Sequence, residues 1–475
     1  MDVRKLIIED VRCFAGRQEF EIRPLTYLVG ENSTGKSTAL GCFQTIYEFI
    51  YGRRTGLDFN VKPYQMGAFS EIVKRSNPKL TKFLLGLEVG AEDHEENLEY
   101  TLELSAKDTG SEPVVRKQKI TSQLGDVEFV ESNQDIDEHG QSETGLLNLL
   151  TRSQFEVVGF EKESTKSRFT VSLSRQAMET TVLSILRTAK SRMARDSVIS
   201  NLYENTGSTK PEERAFEEFA DVLSRFLGGD TSISLTEYLA NPFKSTSDVP
   251  HEIYSFAPLR SEPQRTYNPL REEVSPAGSD IPMVLMNISK AKGIHWEKLK
   301  ERLIKFGKSS GLFTDIQVRR LGKSMGDPFQ IQIKVKGPRA NLIDVGYGIN
   351  QILPILVRIF NSRSKVFYLM QQPEIHLHPK GQAELASLMI ETINHEKNRY
   401  IIETHSDAMI NRARIEIMNG NIEPQDVSLI YLEPAGNQVL VHNIHFDKQA
   451  NLIGAPPSYR DFFMNESDRL LGFSN

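Results

Sequence analysis

The stretch GENSTGKST at residues 30–38 follows the apolar run of residues 25–29 and opens a stretch with helical spacing that reaches Ile50. A buried strand, a glycine-rich loop and a helix therefore follow one another, which is the context in which such a loop cradles a phosphate chain. The sequence predicts a P-loop. Its pattern GxxxxGK[ST] is filled by Gly30, Gly35, Lys36 and Ser37.

Each residue type in this loop has a physical reason to be there. Glycines let backbone N–H groups wrap the β-phosphate, Lys36 neutralises charge on the β- and γ-phosphates, and the Ser37 hydroxyl is a ligand for Mg²⁺ at the start of a helix. The loop residues expected to bind the nucleotide are Gly30, Asn32, Ser33, Gly35, Lys36, Ser37 and Thr38.

Composition restricts the class of protein. A chain of 475 residues with 39% hydrophobic and 25% charged residues is typical of a globular protein with more than one structural unit. No run of about eighteen consecutive apolar residues occurs, and the first residues alternate polar and apolar types, so we expect a cytoplasmic protein without a membrane anchor. Cys13 and Cys42 are too few for a disulfide framework and lack zinc-site spacing.

The charge balance argues against a constitutive DNA-binding protein. The net charge is −6, from 57 basic and 63 acidic side chains, whereas such proteins present an excess of basic residues. A local basic groove stays open, so DNA is not indicated as a partner by charge but is not ruled out by it.

The chain suggests an α/β protein in three parts. Residues 3–29 are predicted to form a hairpin that feeds the P-loop strand, and strands at 83–89 and 98–104 predict an antiparallel β-lobe. Together with a polar, acidic loop at 131–145, these make an N-terminal ATPase lobe, residues 1–145.

The middle of the chain has helical rather than alternating periodicity. Apolar stripes at 178–193 and 216–226 predict a helical insertion over residues 146–245. We interpret it as a subdomain with its own core rather than a coiled-coil arm, because each stripe lasts only about two to three heptads. Strands return in a C-terminal ATPase lobe, residues 246–475, at 252–256, 329–335, 366–370, 401–402, 427–432 and 439–441.

Three downstream segments complete the pattern. KVFYLMQQPEIHLHP at 365–379 resembles the Walker B strand and D-loop of ABC-type ATPases, and IIETHSD at 401–407 resembles their switch histidine, His405. NLIDVGYGINQILPIL at 341–356 resembles their signature segment. In that superfamily the signature contacts a nucleotide bound by the partner subunit. The residues to which the resemblance gives this role are Gly346, Gly348, Asn350 and Gln351.

With the N-terminal pattern at residues 14–30, the set resembles the SMC/RecF-like branch of the ABC ATPases. Within it the chain is similar to the short OLD-related ATPases of bacterial phage-defence operons, and in size and layout to the ATPase subunits of PARIS systems. The segments at 257–269 and 455–463 add to that likeness. The resemblance implies an ABC-type P-loop ATPase head, ATP and Mg²⁺ as cofactors, and a homo-oligomer.

The metal side of the expected site departs from the family pattern. Gln371 and Gln372 stand where this branch usually carries acidic residues, and an amide has no charge and cannot take a proton. Loss of a general base costs about 10²- to 10⁴-fold in rate, so we predict slow hydrolysis unless Glu374 substitutes. A natural variant and an engineered Glu-to-Gln trap would have the same sequence here.

Some assignments stay open at this point. Gln65 occupies the place of the Q-loop glutamine that reaches toward the metal, but a plain loop residue is an equal alternative. His376 and His378 are read as packing residues rather than a zinc pair. Arg260 and Arg265 are either an anion site or, as we favour, partners in surface salt bridges.

Two functions follow from the resemblance. The first is a nucleotide-gated scaffold and sensor in anti-phage defence, which holds a separate toxic effector, such as a Toprim-type nuclease, and releases it on a phage-encoded trigger. The alternative is a RecF-like DNA-repair ATPase acting on DNA ends or gaps, which the acidic balance disfavours. A nuclease within the chain is rejected, because Asp135 and Asp137 lie in an acidic loop with no preceding strand.

Overall fold

The computed structural model of the chain describes residues 2–51, 57–74, 81–90, 97–106, 111–121, 125–131, 155–163, 166–173, 252–269, 274–290, 293–324, 326–362, 364–459 and 461. They belong to two compact units. The first comprises Met1–Glu21, Thr38–Val249 and Pro434–Leu440. The second comprises Ile22–Ser37, Pro250–Glu433 and Val441–Asn475.

The elements are numbered in chain order. The strands are β1 (Asp2–Glu9), β2 (Arg17–Glu21), β3 (Leu25–Gly30), β4 (Lys82–Gly90), β5 (Asn97–Ser105), β6 (Val114–Thr121), β7 (Gly125–Glu131), β8 (Phe155–Glu163), β9 (Lys166–Leu173), β10 (Glu252–Phe256), β11 (Asp315–Arg320), β12 (Phe329–Lys334), β13 (Ala340–Asn341), β14 (Val366–Gln371), β15 (Arg399–Glu403), β16 (Val427–Ala435), β17 (Gln438–Phe446) and β18 (Leu452–Ile453). The helices are α1 (Lys36–Ile50), α2 (Phe69–Ile72), α3 (Ile281–Lys290), α4 (Ile294–Ser310), α5 (Tyr347–Asn361), α6 (Pro379–Glu396) and α7 (Asp407–Met418).

The first unit is built on an 8-stranded sheet in the order β2-β1-β4-β5-β6-β7-β9-β8. Neighbouring strands are antiparallel, except that β7 and β9 pair in parallel. Alternate residues of β4, Phe83, Leu85, Leu87 and Val89, are buried, as expected for a sheet that covers a core with one face. The predicted N-terminal hairpin and antiparallel β-lobe are confirmed.

Part of the predicted helical insertion is extended instead. Strands β8 and β9 pair as an antiparallel hairpin within residues 146–245, where we expected helices. The reason is local, because Phe169, Val171 and Leu173 alternate with polar residues and so follow the period of two that a strand requires. The helical stripes at 178–193 and 216–226, the loop at 132–145 and the boundaries at 145 and 245 lie outside the described residues.

The second unit contains a 7-stranded sheet in the order β10-β14-β15-β3-β16-β17-β18. From β10 to β16 each neighbouring pair is parallel, and β18 pairs with β17 in antiparallel fashion. The first five residues of β3, β14 and β15 are all buried, and most of them are apolar or aromatic, as expected for the central strands of a parallel sheet. A separate 3-stranded sheet has the order β11-β12-β13.

A ladder of tyrosines crosses three of the parallel strands. Tyr254 of β10 is paired with Tyr368 of β14, which is paired with Tyr400 of β15. Ring centroids are 6.1 Å apart between the first two and 5.1 Å apart between the last two, with interplanar angles of 24° and 15°. Stacked rings in register oppose slippage of one strand past the next. The ladder therefore fixes which residues end each strand at the same edge.

The carboxyl ends of these parallel strands meet at one edge of the sheet, and the loops that follow β10, β14, β15 and β3 all leave from it. The α/β fold class expected from the sequence, with an antiparallel β-lobe, is confirmed. Among the described residues, no helix is both long and apolar enough to cross a lipid bilayer.

Truncating the middle ring of the ladder should destabilise the second unit. We expect Tyr368→Ala to lower the free energy of unfolding by about 3 to 5 kcal/mol, because it leaves a cavity where a fully buried ring stacks on both sides. Tyr368→Phe keeps the ring and loses only the hydroxyl contact to Ser362, so it should cost about 1 kcal/mol. Equal losses in urea denaturation would show that stacking does not hold this sheet.

Candidate functional site

The turn after β3 has a backbone that requires glycine. Gly30 has φ +145° and Gly35 has φ +91°, in the region that residues with a side chain rarely adopt. A Cβ atom at Gly30 would lie 2.6 Å from the carbonyl oxygen of Leu432 on β16. The close approach of β16 and the positive φ therefore both require glycine at the first position of the P-loop.

Lys36 begins α1 and folds back over this loop. Its side chain is buried, and Nζ donates hydrogen bonds to the carbonyl oxygens of Gly30 at 3.0 Å and Glu31 at 2.6 Å. Burial lowers the pKa of Lys36, and the negative charge of Glu403 opposes this shift. The cation is thus held over the concave side of the loop, where it is placed to meet a phosphate group.

Ser37 has an acidic partner that the sequence motifs did not indicate. Its Oγ donates a hydrogen bond of 2.7 Å to Oε2 of Glu403, the last residue of β15. Glu403 is 8% exposed, so this carboxylate lies inside the unit rather than in solvent. The hydroxyl expected to bind Mg²⁺ is therefore in direct contact with a carboxylate.

The two glutamines lie at and just after the end of β14. Gln371 ends β14, is buried, and is paired in the parallel register with Glu403. Gln372 follows with φ 44°, and its backbone N–H donates a hydrogen bond of 2.8 Å to the carbonyl oxygen of Glu403. The register therefore sets an amide on β14 beside a carboxylate on β15.

Glu374 lies in the next turn and is held by the residues after β15. Its Oε1 accepts hydrogen bonds from Oγ1 of Thr404 at 2.7 Å and from the backbone N–H of His405 at 2.8 Å. Its Oε2 is buried and has no hydrogen-bond partner. One carboxylate oxygen is thus anchored, and the other is left to accept a hydrogen bond or a proton.

The signature segment divides into an exposed turn and a buried helix. Gly346 precedes α5, and a Cβ atom added there would meet nothing within 4 Å. A Cβ atom at Gly348 would instead lie 2.6 Å from the carbonyl oxygen of His376. Asn350 and Gln351 are 6% and 0% exposed, so their side chains lie within the unit rather than on the surface where we expected them to face a partner.

The two arginines after β10 have different roles. Arg265 pairs with both carboxylate oxygens of the exposed Asp344, at 2.9 and 2.6 Å, which is the salt bridge that we favoured. For Arg260 that interpretation is wrong, because its side chain is 3% exposed. The guanidinium atoms Nε and Nη2 have no partner, although the backbone N–H donates to Oε1 of Gln351 at 3.2 Å.

Electrostatics connect this buried arginine to the site. Burial lowers the pKa of Arg260 to about 10, and the negative charge of Glu374 opposes the shift. Sequence reasoning missed this burial because a proline-flanked arginine gives no local sign of being covered. Arg260 and Glu374 are therefore buried groups of opposite charge, each with unpaired polar atoms.

The remaining predicted residues lie as follows. Thr38 is buried in the first unit, where Oγ1 accepts a hydrogen bond of 3.2 Å from Nη1 of Arg12. Gln65 also belongs to the first unit and is exposed in the turn before α2. Among the predicted site residues of the second unit, those that are exposed are Asn32, Ser33, Ser37, Gly346 and His405.

The histidines of the D-loop segment have structural contacts. The ring of His376 packs edge-on against Tyr347, with centroids 4.6 Å apart, and Nδ1 of His378 accepts a hydrogen bond from the backbone N–H of Lys380 at the start of α6. Neither Cys13 nor Cys42 forms a disulfide bond. In the part of the chain that the structure describes, no three His, Cys, Asp or Glu side chains form a metal-binding group.

Removing the P-loop cation should abolish nucleotide binding. We expect Lys36→Ala to lose ATP affinity in calorimetry because it removes the cation directed at the β- and γ-phosphates. Lys305→Ala is the matched control, since Lys305 is an exposed lysine that pairs with Glu391 on the surface of the same unit. Unchanged ATP affinity in a folded Lys36→Ala protein would refute the site.

A search of curated proteins found no match. Among solved structures, an Smc head bound to the C-winged helix domain of ScpA is 11% identical, with TM-score 0.45 and coverage of 94% of this chain and 99% of that one. An extended Smc head from Pyrococcus furiosus, in complex with the C-terminal domain of ScpA, is 10% identical, with TM-score 0.42 and coverage of 98% and 99%.

A third structure, the SMC head domain from Thermotoga maritima, is 12% identical, with TM-score 0.36 and coverage of 93% of this chain and 98% of that one. The model of one protein family, the AAA ATPase domain, matches residues 1–410. This match includes the P-loop, the signature segment, the end of β14 and Glu403. The chain therefore belongs to the AAA ATPase domain family.

Proposed function

We propose that this chain is a slowly hydrolysing, nucleotide-gated ATPase of the SMC-like ABC type, acting as a scaffold and sensor in bacterial anti-phage defence. One observation carries the proposal. The groups that suit ATP and Mg²⁺, the buried Lys36 and Glu403 and the exposed Ser37, are gathered at one sheet edge, and the signature turn at Gly346 is also exposed. A site that is completed by a second copy has these properties.

The surface near the signature supports an assembly in which it is covered. Ile343 and Tyr347 flank Gly346 and are 40% and 42% exposed. Large apolar side chains at the surface are typical of protein interfaces when they gather in one region. We propose that a second copy of this chain covers this turn when ATP is bound, so that hydrolysis switches the assembly between states.

Slow turnover follows from the residues at the end of β14. A neutral amide at Gln372 cannot remove a proton from the attacking water, so ATP should persist in the closed assembly. Glu374, with one buried unpaired oxygen, is the group in the described residues that we propose as a substitute base.

The proposed cellular role rests on the resemblance to OLD-related ATPases and to PARIS ATPase subunits. The effector is proposed as a separate protein, such as a Toprim-type nuclease, that the ATP-bound assembly holds and a phage-encoded trigger releases. The test is co-purification of the product of the neighbouring gene with this chain, with and without ATP. Failure to retain it in the presence of ATP would contradict the scaffold role.

ATP should drive association in an even-numbered assembly. We expect light scattering to show dimers or multiples of dimers with Mg²⁺-ATP, because the exposed signature turn completes the site of another copy. Lys36→Ala should not associate in response to ATP. A monomer in the parent chain under every nucleotide condition would remove the basis for a gated scaffold.

Restoring an acid should raise turnover. We expect Gln372→Glu to increase phosphate release by about 10- to 1,000-fold and to weaken the ATP-held assembly, because it returns a general base. Gln371→Glu should gain less, since Glu403 already places a carboxylate beside that position. If the parent chain turns over above about 1 s⁻¹ and neither change helps, the base lies elsewhere, and Glu374→Gln becomes the informative variant.

A further inference from the structure

The position of Glu403 in the sheet is more favourable for a metal-side role than that of Gln371. Strand β15 lies directly beside β3, the strand that leads into the P-loop, whereas β14 lies beyond β15. Neighbouring strands are about 4.8 Å apart, so the strand that carries Gln371 lies about 10 Å from β3 and the strand that carries Glu403 about half that distance. The nearer strand therefore ends in the acid.

The hydrogen bond from Ser37 shows what the carboxylate of Glu403 can do in the site. The hydroxyl proton of Ser37 is donated to Oε2 of Glu403 at 2.7 Å, which leaves the lone pairs of Oγ free to bind a cation. A carboxylate that accepts a hydrogen bond from a metal ligand also makes the ligand atom a better electron donor. Groups that hydrogen-bond to metal ligands have this effect in general. The hydrogen bond to Glu403 therefore orients the Ser37 hydroxyl without the help of a bound metal ion.

The donor set fits Mg²⁺. This ion prefers oxygen ligands and is usually bound by one or two carboxylates, phosphate oxygens and several waters rather than by a cage of acids. Ser37, Glu403 and the amide of Gln371 supply oxygen atoms at one sheet edge, while Glu374 is engaged by Thr404 and the backbone of His405. When bound, the ion would neutralise phosphate charge at this edge.

We infer that Glu403, the residue at the end of the strand between the P-loop strand and β14, supplies the negative charge on the magnesium side of the nucleotide site, in place of an acid at Gln371. The inference rests on the proposed function, because it assumes that the P-loop binds ATP. Glu403 acts through its hydrogen bond to Ser37 and through waters of the ion. With the neutral amide at Gln371, the end of β14 carries no negative charge, and metal binding is retained because Glu403 supplies the charge.

Metal binding can be measured apart from catalysis. ATP affinity is first determined in excess chelator, and Mn²⁺ is then titrated into the ATP complex of the full chain while free Mn²⁺ is followed by electron paramagnetic resonance. The variants are Glu403→Gln, which removes the charge at nearly constant shape, Glu403→Asp, which keeps it, and Gln371→Ala, which removes the rival group. Glu391→Gln, on the exposed face of α6, is the matched control for the substitution.

We expect Glu403→Gln to weaken Mn²⁺ binding by about 10- to 100-fold, which is the usual effect of removing a group behind a metal ligand. Glu403→Asp should lose less, and Gln371→Ala and Glu391→Gln should each change the affinity by less than about threefold. The inference is overturned if Gln371→Ala has the larger effect or if Glu403→Gln has none. Failure of the parent chain to bind ATP would instead overturn the proposed function.

Loss of the fold is distinguished from loss of the metal site by thermal melting of each variant. A Glu403→Gln chain that melts like the parent and binds ATP in chelator, yet binds Mn²⁺ weakly, supports the inference. If Glu403→Gln does not fold, Glu403→Asp decides, because its shorter side chain moves the carboxylate away from the Ser37 hydroxyl. The inference then requires weaker Mn²⁺ binding in Glu403→Asp than in Gln371→Ala, and the reverse order overturns it.

Discussion

Tyr254, Tyr368 and Tyr400 stack across three adjacent parallel strands, and the register that they hold decides where Gln371 and Glu403 lie. Three residues beyond Tyr368 and Tyr400 the same register pairs Gln371 with Glu403. A slip of one residue would move every side chain to the other face of the sheet. Packing of the buried strands therefore aligns a few polar side chains at one edge of the sheet.

That alignment gives the polar side chains of the site different positions and different hydrogen-bond partners. Lys36 and Ser37 face the place of a phosphate chain, Glu403 holds the Ser37 hydroxyl, and Glu374 is anchored through one oxygen while the other is unpaired. Two buried groups of opposite charge, Arg260 and Glu374, both lack full pairing, which is costly in a dry interior unless water or a rearrangement satisfies them. The second unit therefore contains a buried cation and a buried carboxylate whose unpaired polar atoms can still accept or donate hydrogen bonds.

Local sequence patterns predict much of this arrangement, because strands and helices have characteristic spacings of apolar residues and the turn has a characteristic pattern of glycines. The glycine turn at residues 30–35 and the strands β14 and β15 are predicted in this way. The role of Glu403 is not, since it depends on β15 lying between β14 and β3, which is a property of strand order. Burial of Arg260 and of Gln351 likewise depends on packing between distant segments. The hairpin of β8 and β9 was missed although its alternation was visible, because helical stripes further along dominated the interpretation.

The central claim is that the P-loop of one copy works with the signature turn of another. The direct test mixes two defective chains, Lys36→Ala and Gly346→Arg, the second at an exposed position where a side chain meets no neighbour in its own subunit. Each alone should lack ATP-driven association and turnover. In a mixed dimer one site has both an intact P-loop and an intact signature, so the account predicts that mixing restores up to about half of the parent turnover per dimer. No recovery on mixing, or full activity of Gly346→Arg alone, would contradict it.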